Sequence, residues 1–156
     1  MFRKMRRNKQ ELSNKECIQI LENQQRGFLA VSGENEYPYT LPMNYVYHDK
    51  KIIFHSAMEG HKVDSIKKHD KVSFSVINEG EKVENEWYYI FKSVIVFGKI
   101  RIIEDEKEKY EKLTILGDKY FPSKEYTKME MDAAFDHALV LELEIDHMTG
   151  KIVTEK

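Results

Sequence analysis

The chain has 156 residues, 41% of them hydrophobic and 33% charged, with a formal net charge of −2. This fits one water-soluble domain with its own core, and no apolar run approaches the roughly 20 residues of a membrane-spanning helix. A single cysteine, Cys17, excludes an intrachain disulfide framework, and the charged opening lacks the apolar stretch of a secretory signal, so a cytoplasmic protein is expected.

Residues 1–11 read as a basic arm, distinct from a domain over 12–156. Arg3, Lys4, Arg6, Arg7 and Lys9 carry no acidic counterpart there, which leaves 20 bases against 27 acids in the rest of the chain. The arm has the character of a solvated, mobile chain end. The acidic body repels phosphate backbones, so nucleic acid is not the expected partner.

Ser13 followed by Glu16 is a capping box and predicts a helix running to about Gln25, with Leu12 stapled onto Cys17 and with Ile20 and Leu21 inward. Gly27 to Ser32 predicts a short buried strand, and Gly33 to Glu36 a turn. Along Tyr37–Tyr47, the side chains of Tyr39, Leu41, Met43, Tyr45 and Tyr47 alternate onto one face, which predicts a strand; Pro42 marks an edge or a bulge. A hairpin turn at His48–Lys51 leads into Ile52–Ser56. Gly60–Lys68 predicts a short helix, Lys71–Ile77 a strand, and Asn78–Glu86 a charged loop. Trp87–Ile103 is β-rich, with a bulge or bend at Gly98. Asp105 starts a helix whose inner face is Tyr110, Leu113, Leu116 and Tyr120 and which Pro122 stops; a second helix covers 125–135. Ala138–Ile145 closes the domain, its leucines alternating against Glu142 and Glu144. The fold class is therefore mainly β within α+β: about six antiparallel strands closing into a barrel, with flanking helices.

No two of the seven glycines stand close enough for a Gly-x-Gly nucleotide loop, which excludes the Rossmann fingerprint and the P-loop. The six histidines never pair at a helical metal spacing. His61 and Asp64 lie three apart, but surface hydrogen bonding is the ordinary reading, so no metal is expected. No catalytic nucleophile stands out.

Three stretches carry chemistry. At Ile53–Ile66 a strand ends and a helix opens at Gly60 or His61; its free N–H groups, with Lys62 and a donor from Ser56 or His61, make a candidate phosphate site. On spacing alone, a plain strand–turn–helix with solvated Lys62 and His61 is the favoured reading there. At Tyr37–Tyr47 an irregular strand around Pro42 can offer backbone donors and acceptors, with Asn44, to a flat ring; an aromatic core strand is the bland reading. Lys92–Lys99 lacks alternation of apolar with polar residues, which predicts burial on both faces, either by a second subunit or by a helix laid over the outside.

Together these stretches resemble the pyridoxamine 5′-phosphate oxidase-like FMN-binding split-barrel family, and within it the 5-nitroimidazole-resistance (Nim) group. The resemblance runs from Met5-Arg6-Arg7 through Tyr37-Pro38-Tyr39, Pro42-Met43-Asn44-Tyr45, Phe54-His55-Ser56-Ala57 and Glu59-Gly60-His61-Lys62-Val63-Asp64 to Ser93–Gly98 and His147–Lys151. It implies a homodimer with flavin at the subunit interface; a helix start with Lys62 suits a terminal phosphate, so FMN is the expected flavin and FAD the alternative. By that likeness Pro42, Met43, Asn44 and Tyr45 line the ring. His55, Ser56 and Ala57 run beside ring and ribityl chain; Gly60, His61 and Lys62 hold the phosphate; Ser93 and Val94 reach the flavin from the partner chain. The arginine-rich tail of true pyridoxamine phosphate oxidases is missing, since Arg101 is the only arginine after Arg26. The implied activity is thus a flavin-dependent reduction of small electrophiles such as nitro-aromatic compounds. A non-turnover flavin-binding or stress-related redox module remains open, as does a haem- or deazaflavin-binding barrel with His55, His61 or His147 as haem ligand.

Overall fold

The computed structural model describes all 156 residues. Helix α1 spans Asn14–Asn23, and its capping box forms as expected: the Glu16 N–H donates to Ser13 Oγ, and the Ser13 N–H to the Glu16 carboxylate at 2.9 Å. Strand β1 (Arg26–Ser32) and strand β2 (Pro38–Asn44) follow, joined by a turn in which Asn35 and Glu36 take positive φ. Strand β3 (Val46–His48) makes a hairpin with β4 (Lys51–Ser56) through Asp49 and Lys50, both at positive φ. Then come α2 (His61–Lys68), β5 (Lys71–Ile77), β6 (Glu81–Lys82) and β7 (Tyr89–Ile102). Helices α3 (Glu106–Tyr120) and α4 (Lys124–Ala134) precede the last strand, β8 (Leu139–Thr154). No helix is long and apolar enough to cross a membrane.

All the strands join one antiparallel sheet in the order β2-β1-β5-β7-β8-β4-β3, with β6 paired to β7 off the path. Its two edge strands, β2 and β3, are consecutive in the chain and separated only by Tyr45. The sheet therefore curls until its edges meet across a covalent link instead of a hydrogen-bonded ladder. That makes it a half-barrel with an open seam, the split-barrel form. The interior is filled from the inward positions of the strands, Leu29, Phe54, Phe74, Val94, Val96, Leu141 and Leu143 among them, and from α1 through Cys17, Ile20 and Leu21. A second, smaller core of Ile53, Ile103, Leu113, Met131 and Val140 lies outside the barrel, between β4, β8 and the α3–α4 pair.

The expected face Tyr39, Leu41, Met43, Tyr45 and Tyr47 does pack inward. The strand is nevertheless broken at Tyr45, and this break, with the two-residue β6 inside the expected 78–86 loop, raises the strand count from about six to eight. Gly98 does sit at a β-bulge: Phe97 pairs with His147 but Gly98 with Ile145, so Asp146 is the extra residue. The closing strand does not stop at Ile145. It continues nine residues further, because 147–154 pair with β7 beyond the bulge even though their sequence lacks alternation. Tyr110 is not an inner-face residue; it is 37% exposed and tilts against Phe135. The arm is laid along the sheet: Phe2 stacks on His147 with centroids 4.5 Å apart and meets Phe97 at 5.6 Å, and Glu11 bridges to Lys151.

Glu142 falls on the expected outward face but is only 1% exposed, because α3 covers that face. Lys51 donates to Glu142 Oε1 at 3.0 Å and Arg101 at 2.8 Å, while Lys112 Nζ sits 2.8 Å from Oε2. Burial alone would raise this carboxyl; the three cations outweigh it and hold it down at about 2.

Candidate functional site

Near the seam two strands expose unpaired backbone. β2 is an edge strand along its whole length. β4 pairs with β8 on one side, but on the other β3 reaches only Lys51–Ile53, so Phe54, His55 and Ser56 have no neighbour on that side. Pro42, at the edge, withholds no ladder donor the sheet needs.

The end of α3 pins the break at Tyr45. Tyr120 Oη accepts the Tyr45 N–H at 2.8 Å and lies 2.6 Å from the Gln25 carbonyl oxygen and 2.7 Å from that of Tyr45. Lys119 Nζ donates to the Gln24 and Tyr45 carbonyls at 2.6 and 2.9 Å and lies 4.1 Å above the Tyr45 ring. Burial brings the Lys119 ammonium down to about 8. This clamp was not anticipated from the sequence; the only local signal was the pair Lys119-Tyr120 ahead of Pro122.

Met43, His55 and Lys62 converge. Lys62 Nζ lies 3.7 Å from Met43 Sδ and has no carboxylate partner. It is half-buried, and that burial lowers its pKa. Burial, and secondarily the nearby Lys62 charge, lower that of His55. Gly60 opens α2 at φ 122°, a backbone conformation that side chains resist, and a Cβ there would meet nothing within 4 Å. No side chain caps α2, whereas Ser13, Asp105 and Ser123 cap the other three helices. An unpaired ammonium thus stands beside free helix N–H groups with open space over Gly60, an arrangement suited to an anion.

The other expected residues divide by what they already touch. The His61 ring stacks on Tyr39 at 4.2 Å, and its Nε2 accepts the Glu34 N–H at 3.2 Å, so the imidazole ties α2 to the β1–β2 turn. Ser56 is buried and donates to the Ala57 carbonyl at 3.0 Å. Tyr45 is wholly buried, its hydroxyl without a partner and its pKa raised by burial and by Tyr120. Ala57 is exposed just beyond β4, and Pro42 and Asn44 lie along β2. Ser93 and Val94 are not in this cluster, being separated from β2 by β1 and β5 in the sheet. Val94 points into the core, and only Ser93 faces outward.

That outward face is uncovered by any helix. Adjacent strands set Phe28, Ser75 and Ile95 in one row and Ala30, Ser73 and Phe97 in the next. Phe28, Ile77, Ile95 and Phe97 are each 40–48% exposed. Of the two readings of Lys92–Lys99, a helix over the outside is therefore wrong: α1 packs into the barrel interior instead.

An antiparallel sheet curled into a barrel with an open seam, its edge strands bare and a free ammonium at a helix start beside it, defines a half-barrel of the split-barrel class. A family model described as pyridoxamine 5′-phosphate oxidase matches residues 13–152, so the chain belongs to the pyridoxamine 5′-phosphate oxidase family. Among solved structures it resembles a candidate 5-nitroimidazole antibiotic resistance protein of Bacteroides thetaiotaomicron (22% identity over 92% of this chain and 87% of that one, TM-score 0.77). It is also similar to an FAD-binding protein of Mesorhizobium loti (23%, 92% and 96%, TM-score 0.69) and an FAD and haem binding protein of Mycobacterium smegmatis (18%, 95% and 74%, TM-score 0.75). No curated protein matches the chain.

Proposed function

We propose that this protein binds FMN in the seam and, as a homodimer, reduces small electrophiles such as nitro-aromatic compounds. The observation that carries the reading is Lys62: a half-buried ammonium with no carboxylate partner, beside the uncapped start of α2 and the open Gly60 turn. A terminal phosphate satisfies it, which favours FMN over FAD. The free edges of β2 and of Phe54–Ser56 supply donors and acceptors for the rim of a flat ring, with the Asn44 amide alongside. Bound flavin would supply the electron-transfer chemistry; the chain orients it and sets its surroundings. The similar proteins that bind FAD support a flavin, and the resemblance to the candidate nitroimidazole-resistance protein supports the acceptor class. A second subunit fits the outer sheet face around Phe28, Ile77 and Ile95, which no helix covers and where apolar side chains stand exposed.

The test is the visible spectrum of the purified protein, and of Lys62→Ala. Twin near-ultraviolet and blue bands are expected. A charge-assisted contact is worth about 1.5–3 kcal/mol, so FMN should bind Lys62→Ala about 10- to 150-fold more weakly. Ile95→Asp should give a monomer in sedimentation and lose flavin with it. A colourless protein that takes up no added FMN overturns the reading. A Soret band would point instead to haem, with His55 as the ligand left free, since His61 and His147 are engaged by Tyr39, Glu34 and Phe2. Flavin-loaded protein that neither NADH nor NADPH reduces, and that turns over no nitro compound, would leave a binding module.

A further inference from the structure

Beside the seam lies a cavity of about 330 Å³ between α3, α4 and the outer side of β4. Its walls are apolar: Leu113, Leu116, Phe121, Met131, Ala134 and Ala138. Asn44 and His55 border it from the seam and Glu130 from α4. Neither Asn44 nor His55 uses its side chain in a hydrogen bond within the chain, so both have polar groups to offer a guest.

The cavity is held open by the helix pair. At Gly117 the two helices approach so closely that a Cβ would meet Thr127 Cγ2 at 2.8 Å, and Thr127 is itself anchored to the Ser123 carbonyl. Ala134 at the end of α4 and Ala138 just before β8 line the cavity with small side chains, which leave space between the helices and β4. A cavity of about 150 Å³ already takes up benzene. This one is large enough for a single substituted ring and falls at the small end of ligand pockets. The Glu130 carboxylate disfavours an anion. The apolar walls disfavour a strongly hydrated guest.

We infer that this cavity binds a planar, uncharged, single-ring aromatic molecule whose one polar substituent, of the nitro or carbonyl type, meets Asn44 and His55. The redox meaning of the site rests on the flavin reading of the seam, since Asn44 and His55 belong to both: the guest is then the electron acceptor. The binding itself does not depend on that reading.

The test uses the full chain, with and without added FMN, and 4-nitrobenzyl alcohol as the probe. In methyl-selective NMR the probe is expected to shift Leu113, Leu116, Met131 and Ala134. Ala134→Trp, which fills the cavity from an otherwise exposed position, should weaken the probe at least tenfold and leave FMN affinity within twofold. Shifts that map to the Phe28, Ile95 and Phe97 face overturn the inference, as does unchanged probe affinity in Ala134→Trp. Loss of FMN together with the probe overturns it too, since the cavity would then be part of the flavin slot. If wild-type protein takes up no FMN while the probe still moves the methyls of these four residues, the flavin reading falls and the cavity site stands. Should Ala134→Trp fail to fold, the wild-type shift map decides by itself.

Discussion

Replacing Glu142 with glutamine tests how α3 is fastened to the barrel. The variant keeps the shape but leaves Lys51, Arg101 and Lys112 facing one another around a neutral amide. Breaking a buried pair by removing one partner costs about 3–5 kcal/mol. Lys51 and Arg101 are 33% and 53% exposed, so water screens part of that, and about 2–3 kcal/mol is expected at pH 7. The pH dependence gives a second handle. The folded-state pKa of about 2 lies below that of a free glutamate, about 4.3. The unfolded chain therefore binds this proton more readily, and the stabilisation is complete above pH ~5 and lost as pH falls toward 2. Urea denaturation of wild type and Glu142→Gln at pH 7, 4 and 2.5 should show a gap that narrows across this range. A gap below 0.5 kcal/mol at pH 7, or one that is the same at pH 2.5, would refute the ion cluster as the fastening.

The clamp on the seam makes its own predictions. Tyr120→Phe leaves the Tyr45 N–H without an acceptor, at about 1–3 kcal/mol, and hydrogen exchange should speed up at Tyr45 before the rest of β2 and β3. Lys119 has its pKa lowered to about 8 by burial, so the unfolded chain holds this proton more tightly, and unfolding free energy should rise between pH 8 and 10. Lys119→Met should abolish that rise; a rise of the same size in the variant would assign it to other groups. Gly98→Ala drives a Cβ onto the Glu144 carbonyl oxygen at the bulge, where neither backbone can give way. A loss of about 2–4 kcal/mol, or failure to fold, is expected by thermal melting.

Much of this molecule is legible in local pattern. The Ser13–Glu16 capping box, the Asp105 start and Pro122 stop of α3, the alternation of Lys71–Ile77 and the bulge at Gly98 are decided within a few residues by capping, ring geometry and the two-residue period of a strand. The nearness of His55 and Lys62 was also foreseeable in outline, because a strand end leads directly into a helix start, whereas Met43 entered only through the family resemblance. Other features arise only when distant segments meet. The break at Tyr45 exists because Tyr120 and Lys119, about 75 positions away, supply its hydrogen bonds. Glu142 has the sequence signature of a solvent-facing strand residue and becomes a buried hub because α3 lies over that face. The second half of β8 has no periodicity of its own and is a strand because β7 offers it a ladder. Local sequence determined where most strands and helices begin and end, since capping and alternation act over one or two turns. Tertiary structure alone decided where the barrel splits, which face stays bare and which polar side chains are left free at the seam, since each depends on which remote group arrives as a partner.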